Sequence, residues 1–457
     1  MAAKTIDLNA AIERVGVTRL AIFTVALCVV MMLTDGYDFA ALSIAAPAIL
    51  RDWKIEPKAM GLVFSVTFFG LMAGSMFYGW IADRFGRRFT IIFGTLNFGI
   101  PTLLNIWATN STELMVLRFV AGLGMGGVVP IAYTLVSEYA PRRMRSTLTV
   151  ITNAGYGIGA SLTGVIAVVS IPAYGWQSLF FIGGLFSLAM AAALIFWLPE
   201  SPHFLALKRP DSPKLRALAQ KLMPREDIPL AARFTTLDPQ DQGNEAGASI
   251  RNLFSGARAS ATSLLWALFF FDAVGFFFLA SWLPVVMEGA GVSRGTASLT
   301  ASLFTFTGML GGFLIMRFLD RIGPMAVIVL PILGGPAEIL VGAGLPQAAM
   351  LTFVGLAGVC LGGIHYAVYA IAVRYYPPTL RGRGVSAATV WGRAGGIVAP
   401  YIGGYLLSAH MPIQQLMIIA ALPCIATAIV GFALGRVYRH FEAPVAPNAA
   451  LRKERAA

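Results

Sequence analysis

Long apolar stretches alternate with short polar segments along almost the whole chain. A transmembrane helix needs roughly 20 consecutive, mostly apolar residues to cross a bilayer. Because lipid offers no hydrogen-bond partner to a backbone N–H or C=O group, each such stretch is expected to be an α-helix. The pattern predicts an all-α polytopic membrane protein with twelve transmembrane helices, at residues 18–48, 58–81, 89–108, 113–138, 146–170, 177–198, 262–287, 296–317, 325–345, 348–375, 384–408 and 412–435.

One long polar interval divides these helices into two groups of six. We predict an N-terminal six-helix half at 1–198, a central cytoplasmic loop at 199–261, a C-terminal six-helix half at 262–436 and a cytoplasmic tail at 437–457.

The two halves repeat one another in sequence. Four features of the first half recur in the second, in the same order, shifted by 236 or 237 positions: Asp35 with Pro47 recurs as Asp272 with Pro284, "DRFG" at 83–86 as "DRIG" at 320–323, "AGLGMGGVVPIAY" at 121–133 as "AGVCLGGIHYAVY" at 357–369, and "PRRMR" at 141–145 as "PPTLR" at 377–381. Two parallel six-helix pseudo-repeats place a substrate site at mid-membrane between them. The repeat therefore predicts a transporter that works by alternating access.

Composition and charge support a membrane protein. Only 12% of the residues are charged and 57% are hydrophobic, whereas a soluble domain carries about 25% charged residues. The net charge of +12 does not indicate a nucleic-acid partner, because the basic residues are distributed by side of the membrane. Four of the 34 Lys and Arg residues fall in outer loops if both termini are cytoplasmic, and most others fall on the inner side.

Several other classes of protein are not expected. The three cysteines lie in predicted helices and the four histidines are scattered, so neither a disulfide framework nor a metal site is predicted. The N-terminus lacks the apolar core of a signal peptide. The sequence shows no nucleotide-binding loop and no nucleophile–base set, and its polar segments are short for a signalling domain. We expect neither an enzyme nor a receptor, and no cofactor other than the proton as coupling ion.

Two acids lie near the middle of the first predicted helix, Asp35 and Asp38. A charged aspartate there costs roughly 2.5–3.5 kcal/mol on insertion scales. Residues three apart share one helix face, and because neighbouring carboxylates repel and burial disfavours charge, one of the two can hold a proton near neutral pH. We predict that they couple transport to protons. The alternative is a structural pair tied to a buried arginine or to backbone donors.

Glu138 is a third candidate for proton coupling. It precedes Arg142 by four residues, so a helix-end ion pair is an equally good interpretation.

Two arginines within predicted helices are candidates for binding a substrate carboxylate, because a guanidinium is a planar, two-pronged donor. Arg118 lies five residues from Glu113, so it also fits snorkelling to the surface or pairing with Asp35 or Asp38. Arg393 lies roughly 15 Å into the eleventh predicted helix, among glycines that permit close approach of a helix or ligand.

Further candidates for substrate binding share the central part of the predicted helices. Asp272 is the repeat partner of Asp35, and Trp391 offers a ring face near Arg393. Tyr156, His365 and Tyr366 offer polar groups that can recognise a ring substituent. The alternative for His365 is a packing role within a glycine-rich helix.

Three segments resemble the major facilitator superfamily. "GWIADRFGRR" at 79–88 is similar to its G-x-x-x-D-R-x-G-R-R loop signature, "RFVAGLGMGG" at 118–127 resembles its fourth-helix pattern, and "PESP" at 199–202 resembles its mark after helix six. The resemblance implies the major facilitator fold.

The same resemblance implies a latch that holds the inner gate shut in the outward-facing state. In this sequence its residues are Asp83, Arg84, Arg87 and Arg88, with Asp320 and Arg321 as the second-half equivalents. The second loop, "DRIGPM", lacks the two basic residues that follow "DRFG". The alternative interpretation is that these charges only orient the protein in the membrane.

Two further segments resemble the aromatic acid:H⁺ symporter family, "DGYD" at 35–38 and "YYPPTLRGRGVSAATVWGRAGGIVAP" at 375–400. This resemblance implies proton-coupled uptake of a small aromatic carboxylate, such as a benzoate, hydroxybenzoate or protocatechuate, by a monomer in the bacterial inner membrane. The alternatives are a carrier of another organic acid, such as nicotinate or muconate, or a drug/H⁺ antiporter. "GYGIGASLTG" at 155–164 lacks the Gly-Pro pair of the antiporter signature, which favours import.

Overall fold

The computed structural model describes residues 5–223, 233–235, 250–255, 258–322, 326–376 and 380–441. The N-terminal half contains β1 (Thr5–Asp7), α1 (Leu8–Val15), α2 (Arg19–Trp53), α3 (Pro57–Phe85), α4 (Arg87–Leu104) with a 3₁₀ turn at Asn105–Trp107, α5 (Ser111–Tyr139), α6 (Arg142–Tyr174) and α7 (Gln177–Trp197). The central segment contains α8 (Pro202–Lys208), α9 (Pro213–Leu222), β2 (Arg233–Thr235) and a 3₁₀ turn at Ile250–Phe254. The C-terminal half contains α10 (Arg258–Gly289), α11 (Arg294–Ile322), α12 (Ala326–Val341), α13 (Gln347–Tyr375), α14 (Arg381–Ser408) and α15 (Ile413–Phe441).

The prediction of twelve membrane helices is confirmed, and each predicted span corresponds to one observed helix. In the described part of the chain, ten helices are long and apolar enough to span a bilayer, and Ile328–Val341 forms a shorter apolar helix. The remaining one, α14, is less apolar because it carries arginines and many glycines. Several helices end at recognisable signals: the Thr18 hydroxyl caps α2 by accepting from the Ala21 N–H at 3.1 Å, and Gly86, at φ 101°, separates α3 from α4.

Both halves use the same packing scheme. In the first half α2 packs on α6, α3 on α5, and α4 on both α5 and α7; in the second half α10 packs on α14, α11 on α13, and α12 on both α13 and α15. The halves meet through α3 with α14, α6 with α11, and α2 with α10. The first two of these pairs exchange under two-fold symmetry, and the third maps onto itself. The predicted six-helix pseudo-repeats are therefore confirmed.

The pseudo-two-fold relation is visible in individual contacts between α2 and α10. The Ser43 hydroxyl donates to the Ala280 carbonyl at 2.7 Å, and Arg51 forms an ion pair with Glu288. Both pairs join positions 237 residues apart, which are equivalent positions of the two repeats. The axis therefore passes between the C-terminal parts of α2 and α10. We call the side of the membrane at which α2 and α10 end the outer side. The side that carries the N-terminus and α8 is the inner side.

Glycines let the outer ends of α3 and α14 touch backbone to backbone. A Cβ atom at Gly61 would lie 2.8 Å from the Pro400 carbonyl oxygen, and one at Gly404 would lie 2.8 Å from the Pro57 carbonyl oxygen. The Trp282 indole N–H donates to the same Pro400 oxygen at 3.0 Å. The outer ends of the two halves are therefore closely packed.

On the inner side, the N-terminal segment is joined to the central segment. β1 pairs in parallel with β2, and α1 packs on α9. The Arg142 backbone N–H at the start of α6 donates to the Glu13 carboxylate at 2.7 Å. These contacts involve the N-terminal half and the central segment.

Close approach of α3 and α5 also depends on glycine. A Cβ atom at Gly74 would overlap the Leu123 carbonyl, and one at Gly126 would overlap the Leu71 carbonyl. By contrast, a Cβ atom at Gly79, five residues after Gly74 in the same helix, would meet no atom within 4 Å.

This difference gives a matched test of the packing. We expect Gly74→Ala to lower the midpoint temperature of unfolding, Tm, of the purified protein in detergent, because overpacking costs about 1–3 kcal/mol. Gly79→Ala makes the same chemical change in open space, and alanine favours the helix by about 1 kcal/mol, so its Tm should stay level or rise. Equal Tm values for the two variants would contradict the close helix contact.

Candidate substrate and proton site

The most buried ion pair lies within the N-terminal half, between α2 and α5. Arg118 Nη1 lies 3.2 Å from both carboxylate oxygens of Asp38. The Thr102 hydroxyl of α4 donates to Asp38 at 2.6 Å and accepts from Arg118 Nη2 at 2.8 Å. The guanidinium also lies over the Phe180 ring, 5.2 Å from its centroid. This is the pairing that the sequence left open as the alternative for Arg118. It engages both terminal nitrogens of the guanidinium with protein groups, whereas the buried Nε has no hydrogen-bond partner among the described residues.

Asp35 lies one turn from Asp38 and has different surroundings. Its side chain is 2% exposed, and its Oδ1 atom has no hydrogen-bond partner among the described residues. It lies within electrostatic range of Tyr156 on α6 and of Arg393 on α14. The two acids of "DGYD" therefore differ in their partners: Asp38 is paired with Arg118 inside its own half, whereas Asp35 has no ion-pair partner among the described residues.

Arg393 is the arginine that faces this centre. It acts electrostatically on Asp35, Tyr156 and Tyr369, so it lies among groups from both halves. It is partly exposed, and it makes no hydrogen bond or ion pair within the described residues. A guanidinium in this state has its donors available to a ligand.

Polar side chains from α5, α6 and α13 surround the same space. The Tyr133 hydroxyl donates to Asn153 Oδ1 at 2.5 Å, and Tyr366 hydrogen-bonds to the same amide. Tyr156 lies within electrostatic range of Tyr133 and Tyr366. Tyr133 and Asn153 were not singled out from the sequence. The sequence repeat could have indicated Tyr133, because the equivalent of Tyr133, 236 positions later, is Tyr369. Tyr369 lies within electrostatic range of Arg393.

A second polar pair lies within the C-terminal half. His365 Nδ1 of α13 lies 2.8 Å from Asp272 Oδ2 of α10, and the imidazole stacks on Phe276 with 4.5 Å between ring centroids. The carboxylate is buried and lies within electrostatic range of Tyr369. The structure therefore brings Asp272 and His365 together at the border of the central group.

Three phenylalanines close the centre on its outer side. Phe39 of α2 contacts Phe68 of α3 and Phe277 of α10, with ring centroids 5.6 Å and 6.0 Å away, and Phe68 and Phe277 are 4.5 Å apart. Phe39 also lies against Tyr156, at 6.1 Å between centroids. We call Phe39, Phe68 and Phe277 the aromatic roof, since Ser43 with Ala280 and Arg51 with Glu288 all lie further out along the same helices. The sequence gave no means of choosing these rings from the many phenylalanines.

Below the roof the central groups are accessible to solvent. Tyr369 is 38% exposed, and Tyr133, Tyr156, Tyr366 and Arg393 are partly exposed. Because the outer ends of the halves are packed together, this space opens towards the inner side.

Trp391 does not join this group. Two residues on an α-helix are separated by about 200° around its axis, so Trp391 and Arg393 point in opposite directions. The Trp391 ring stacks on Trp266 of α10, 5.8 Å between centroids, and is 44% exposed. One face of the Trp391 ring therefore lies against another tryptophan.

Glu138 lies far from the centre, at the inner end of α5. Its carboxylate is 3.4 Å from Arg87 Nε and 3.9 Å from His203 Nδ1. The structure therefore places Glu138 beside Arg87 at the start of α4. It does not bring Glu138 to Asp35 and Asp38.

The predicted gating residues of the first half lie around this inner cluster. Arg87 also lies 3.7 Å from Asp83, whose side chain is 80% exposed. The Arg88 backbone N–H donates to Glu200 at 3.0 Å, and Arg84 lies over the Trp80 ring at 5.6 Å.

These contacts all join residues of the N-terminal half or of the segment just after it. The side chains of Asp320 and Arg321 lie outside the described part of the structure.

Comparison with solved structures shows the fold. The xylose transporter XylE from E. coli, in a partially occluded inward-open conformation, superimposes with a TM-score of 0.71 at 15% identity, covering 91% of this chain and 98% of that one. A bacterial homolog of the human lysosomal transporter Spinster, in an inward-facing conformation, gives a TM-score of 0.69 at 17% identity, covering 90% of this chain and 96% of that one.

Comparison of sequences shows the family. The model of the Major Facilitator Superfamily matches residues 27–335 and 265–456. The 4-hydroxybenzoate transporter PcaK of Pseudomonas aeruginosa is 36% identical over 89% of this chain and 91% of its own length. The gallate transporter of Pseudomonas putida is 33% identical over 90% of each chain, and the benzoate transport protein of Acinetobacter baylyi is 28% identical over 93% of this chain and 91% of its own. The chain is therefore a membrane transporter that belongs to the Major Facilitator Superfamily and, within it, to the aromatic acid transporters.

Proposed function

We propose that this protein takes up a small aromatic carboxylate together with a proton, by alternating access, across the bacterial inner membrane. The observation that carries the proposal is Arg393 of one half, which makes no hydrogen bond or ion pair among the described residues and lies within electrostatic range of Asp35 of the other half. The relatives that transport 4-hydroxybenzoate, gallate and benzoate support this substrate class. A single chain supplies every group of the centre, so the monomer is the proposed functional unit.

The central groups suit each part of such a substrate. Arg393 offers paired N–H donors that match a carboxylate. Phe39, Tyr156 and Phe277 line the adjacent space with ring faces and edges, which favour offset or edge-on contact with an aromatic ring. The amide of Asn153 and the hydroxyls around it can recognise a ring hydroxyl, and an analogue without that hydroxyl would leave them unpaired.

Charge balance supplies the proposed coupling. An isolated charge is costly to hold in a low-dielectric interior. In the empty carrier, ionised Asp35 balances Arg393. When the substrate carboxylate binds Arg393, Asp35 takes up a proton and the centre stays neutral. The carrier switches between its inward-facing and outward-facing conformations only in these two neutral states, empty or loaded with both substrate and proton. Substrate and proton therefore move together.

The other acid of the predicted proton-coupling pair has a different proposed role. Asp38 is held by Arg118 and Thr102 and keeps α2, α4 and α5 in register. Because removing one partner of a buried ion pair costs about 3–5 kcal/mol, we propose that Asp38 stays ionised throughout the cycle. Asp35 is then the group that binds and releases the proton.

Orientation follows the charge distribution, with both termini in the cytoplasm. The inner side of the structure is then the cytoplasmic side, and the space below the roof is open to the cytoplasm.

Uptake into liposomes tests the proposed function. The purified protein is reconstituted and given labelled benzoate, 4-hydroxybenzoate, protocatechuate, gallate, nicotinate and muconate, with an inward proton gradient and with or without a protonophore. We expect accumulation of at least one benzoate-type acid that the protonophore abolishes. Accumulation of nicotinate or muconate alone would contradict a benzoate-type substrate and indicate another organic acid. Uptake that does not depend on the proton gradient would refute proton coupling.

Arg393→Lys tests the carboxylate anchor. Lysine keeps the charge but loses the paired donor geometry, so we expect kcat/KM for uptake to fall about ten- to a hundredfold, the equivalent of one charge-assisted hydrogen bond. Arg383→Lys, the same change at an exposed position of the same helix, serves as the control and should transport normally. Unchanged kcat/KM in Arg393→Lys would remove Arg393 from the site.

Asparagine at the two acids separates their roles. Asp35→Asn mimics the protonated state, so we expect it to keep exchange of labelled for unlabelled substrate but lose accumulation driven by a proton gradient, because the empty carrier retains an unbalanced Arg393. Asp38→Asn breaks the pair with Arg118 and should lose both activities and lower Tm. Gradient-driven accumulation by Asp35→Asn would contradict the coupling scheme.

A further inference from the structure

A second cavity, of about 260 Å³, lies on the outer side between α2, α6, α10 and α11. It lies beyond the aromatic roof, at the level of the ion pair between Arg51 and Glu288. Both of these residues line it, together with Arg294 at the start of α11. We call this cavity the outer vestibule.

Most residues that line the outer vestibule are apolar, and its charged lining residues are Arg51, Glu288 and Arg294. Ala48, Val168 and Ile171 form part of the wall. Arg51 is engaged by Glu288, whereas the exposed Arg294 side chain makes no hydrogen bond or ion pair within the described residues. The vestibule thus has one net positive charge beside an apolar surface, which complements an anion that carries a ring.

The size of the cavity agrees with this chemistry. Sites for drug-sized ligands span roughly 300–1,000 Å³. At about 260 Å³ the vestibule falls just below that range, which suits a ligand with one ring.

We propose that the outer vestibule is an access site that binds the substrate carboxylate on Arg294 before the substrate reaches the central site. The class of ligand rests on the proposed function, whereas the existence of the site rests on the cavity and its charges.

The ion pair across the vestibule connects this binding to opening. Arg51 and Glu288 occupy equivalent positions of the two halves and join them at the pseudo-two-fold axis. Any outward opening of the halves must separate the pair. A substrate carboxylate held at Arg294 is chemically equivalent to the Glu288 carboxylate, so it can replace Glu288 as the partner of Arg51. Binding in the vestibule therefore favours release of the outer contact only when a substrate is present.

Transport kinetics give the first test. We expect Arg294→Gln to raise KM for uptake of the aromatic acid about three- to tenfold, the size of effect expected for an exposed charge-assisted contact, while kcat stays within about twofold. Lys58→Gln is the matched control, because Lys58 is an outer-side cation that pairs with Glu56 and does not line the vestibule. Arg294→Lys should recover part of the affinity. An unchanged KM in Arg294→Gln would overturn the proposal.

Protection from a thiol reagent tests binding directly. The native cysteines Cys28, Cys360 and Cys424 are buried, so Ala48→Cys provides a thiol in the vestibule for a membrane-impermeant reagent added from outside. The experiment uses Arg393→Gln as background, in which the central site no longer grips a carboxylate. We expect 4-hydroxybenzoate and benzoate to slow labelling at least severalfold. Benzamide, which has the ring without the charge, should not protect.

Two further variants decide the outcome. Adding Arg294→Gln should abolish the protection and adding Lys58→Gln should leave it intact. A thiol that the external reagent cannot reach, or protection that survives Arg294→Gln, would refute the vestibule site. The proposed function fails separately, if the liposomes with unmodified protein accumulate no aromatic acid under a proton gradient.

Discussion

Charge in the membrane interior has to be balanced, and the way this protein balances it determines the rest of the structure. Each half pairs one acid internally: Asp38 with Arg118 in the first half and Asp272 with His365 in the second. Among the described residues, Asp35 and Arg393 form no ion pair within their own halves, and the buried Glu338 of the second half has only the Cys424 thiol as a partner. Asp35 and Arg393 belong to different halves and lie within electrostatic range of each other. The charge of Arg393 can therefore be balanced by Asp35 of the other half or by a bound anion, and the charge of Asp35 can also be neutralised by a proton. A symporter of an acid needs this arrangement.

The pseudo-two-fold symmetry explains where the gates lie. Near the axis, equivalent residues of α2 and α10 meet each other, as Ser43 meets Ala280 and Arg51 meets Glu288. Glycines at the outer ends of α3 and α14 allow backbone contact, so the outer side closes over the aromatic roof. On the inner side the charged cluster around Arg87 stays within the N-terminal half. The structure thus combines a packed outer gate with a central space that reaches the inner solvent.

Much of the fold was predictable from the sequence because it depends on pattern. Apolar length alone located the twelve helices, and the shift of 236 or 237 positions revealed the repeat. The partners of the charged residues are harder to predict from the sequence, because they depend on how each helix is rotated against its neighbours. Arg118 and Glu138 were recognised as buried charges, but only the packing of α2, α4 and α5 shows that Arg118 meets Asp38 and Glu138 meets Arg87.

The candidate site shows the same limit. Asp35 and Asp38 share a helix face, yet only Asp38 has an arginine partner among the described residues, because Arg118 of α5 reaches Asp38 and not Asp35. Trp391 lies two residues from Arg393 and consequently points away from it. Tyr133 could have been identified from the repeat, as the equivalent of Tyr369, whereas nothing in the sequence distinguishes the rings of the aromatic roof from the other phenylalanines.

In the proposed cycle, a bound substrate anion replaces Asp35 as the counter-ion of Arg393, and a proton neutralises Asp35. The most direct measurement is the number of protons that the purified protein takes up when it binds 4-hydroxybenzoate, followed with a pH-indicator dye in weakly buffered detergent solution near neutral pH. The account predicts uptake of about one proton per bound anion for the unmodified protein and none for Asp35→Asn. Binding without proton uptake by the unmodified protein, or equal uptake by Asp35→Asn, would contradict it.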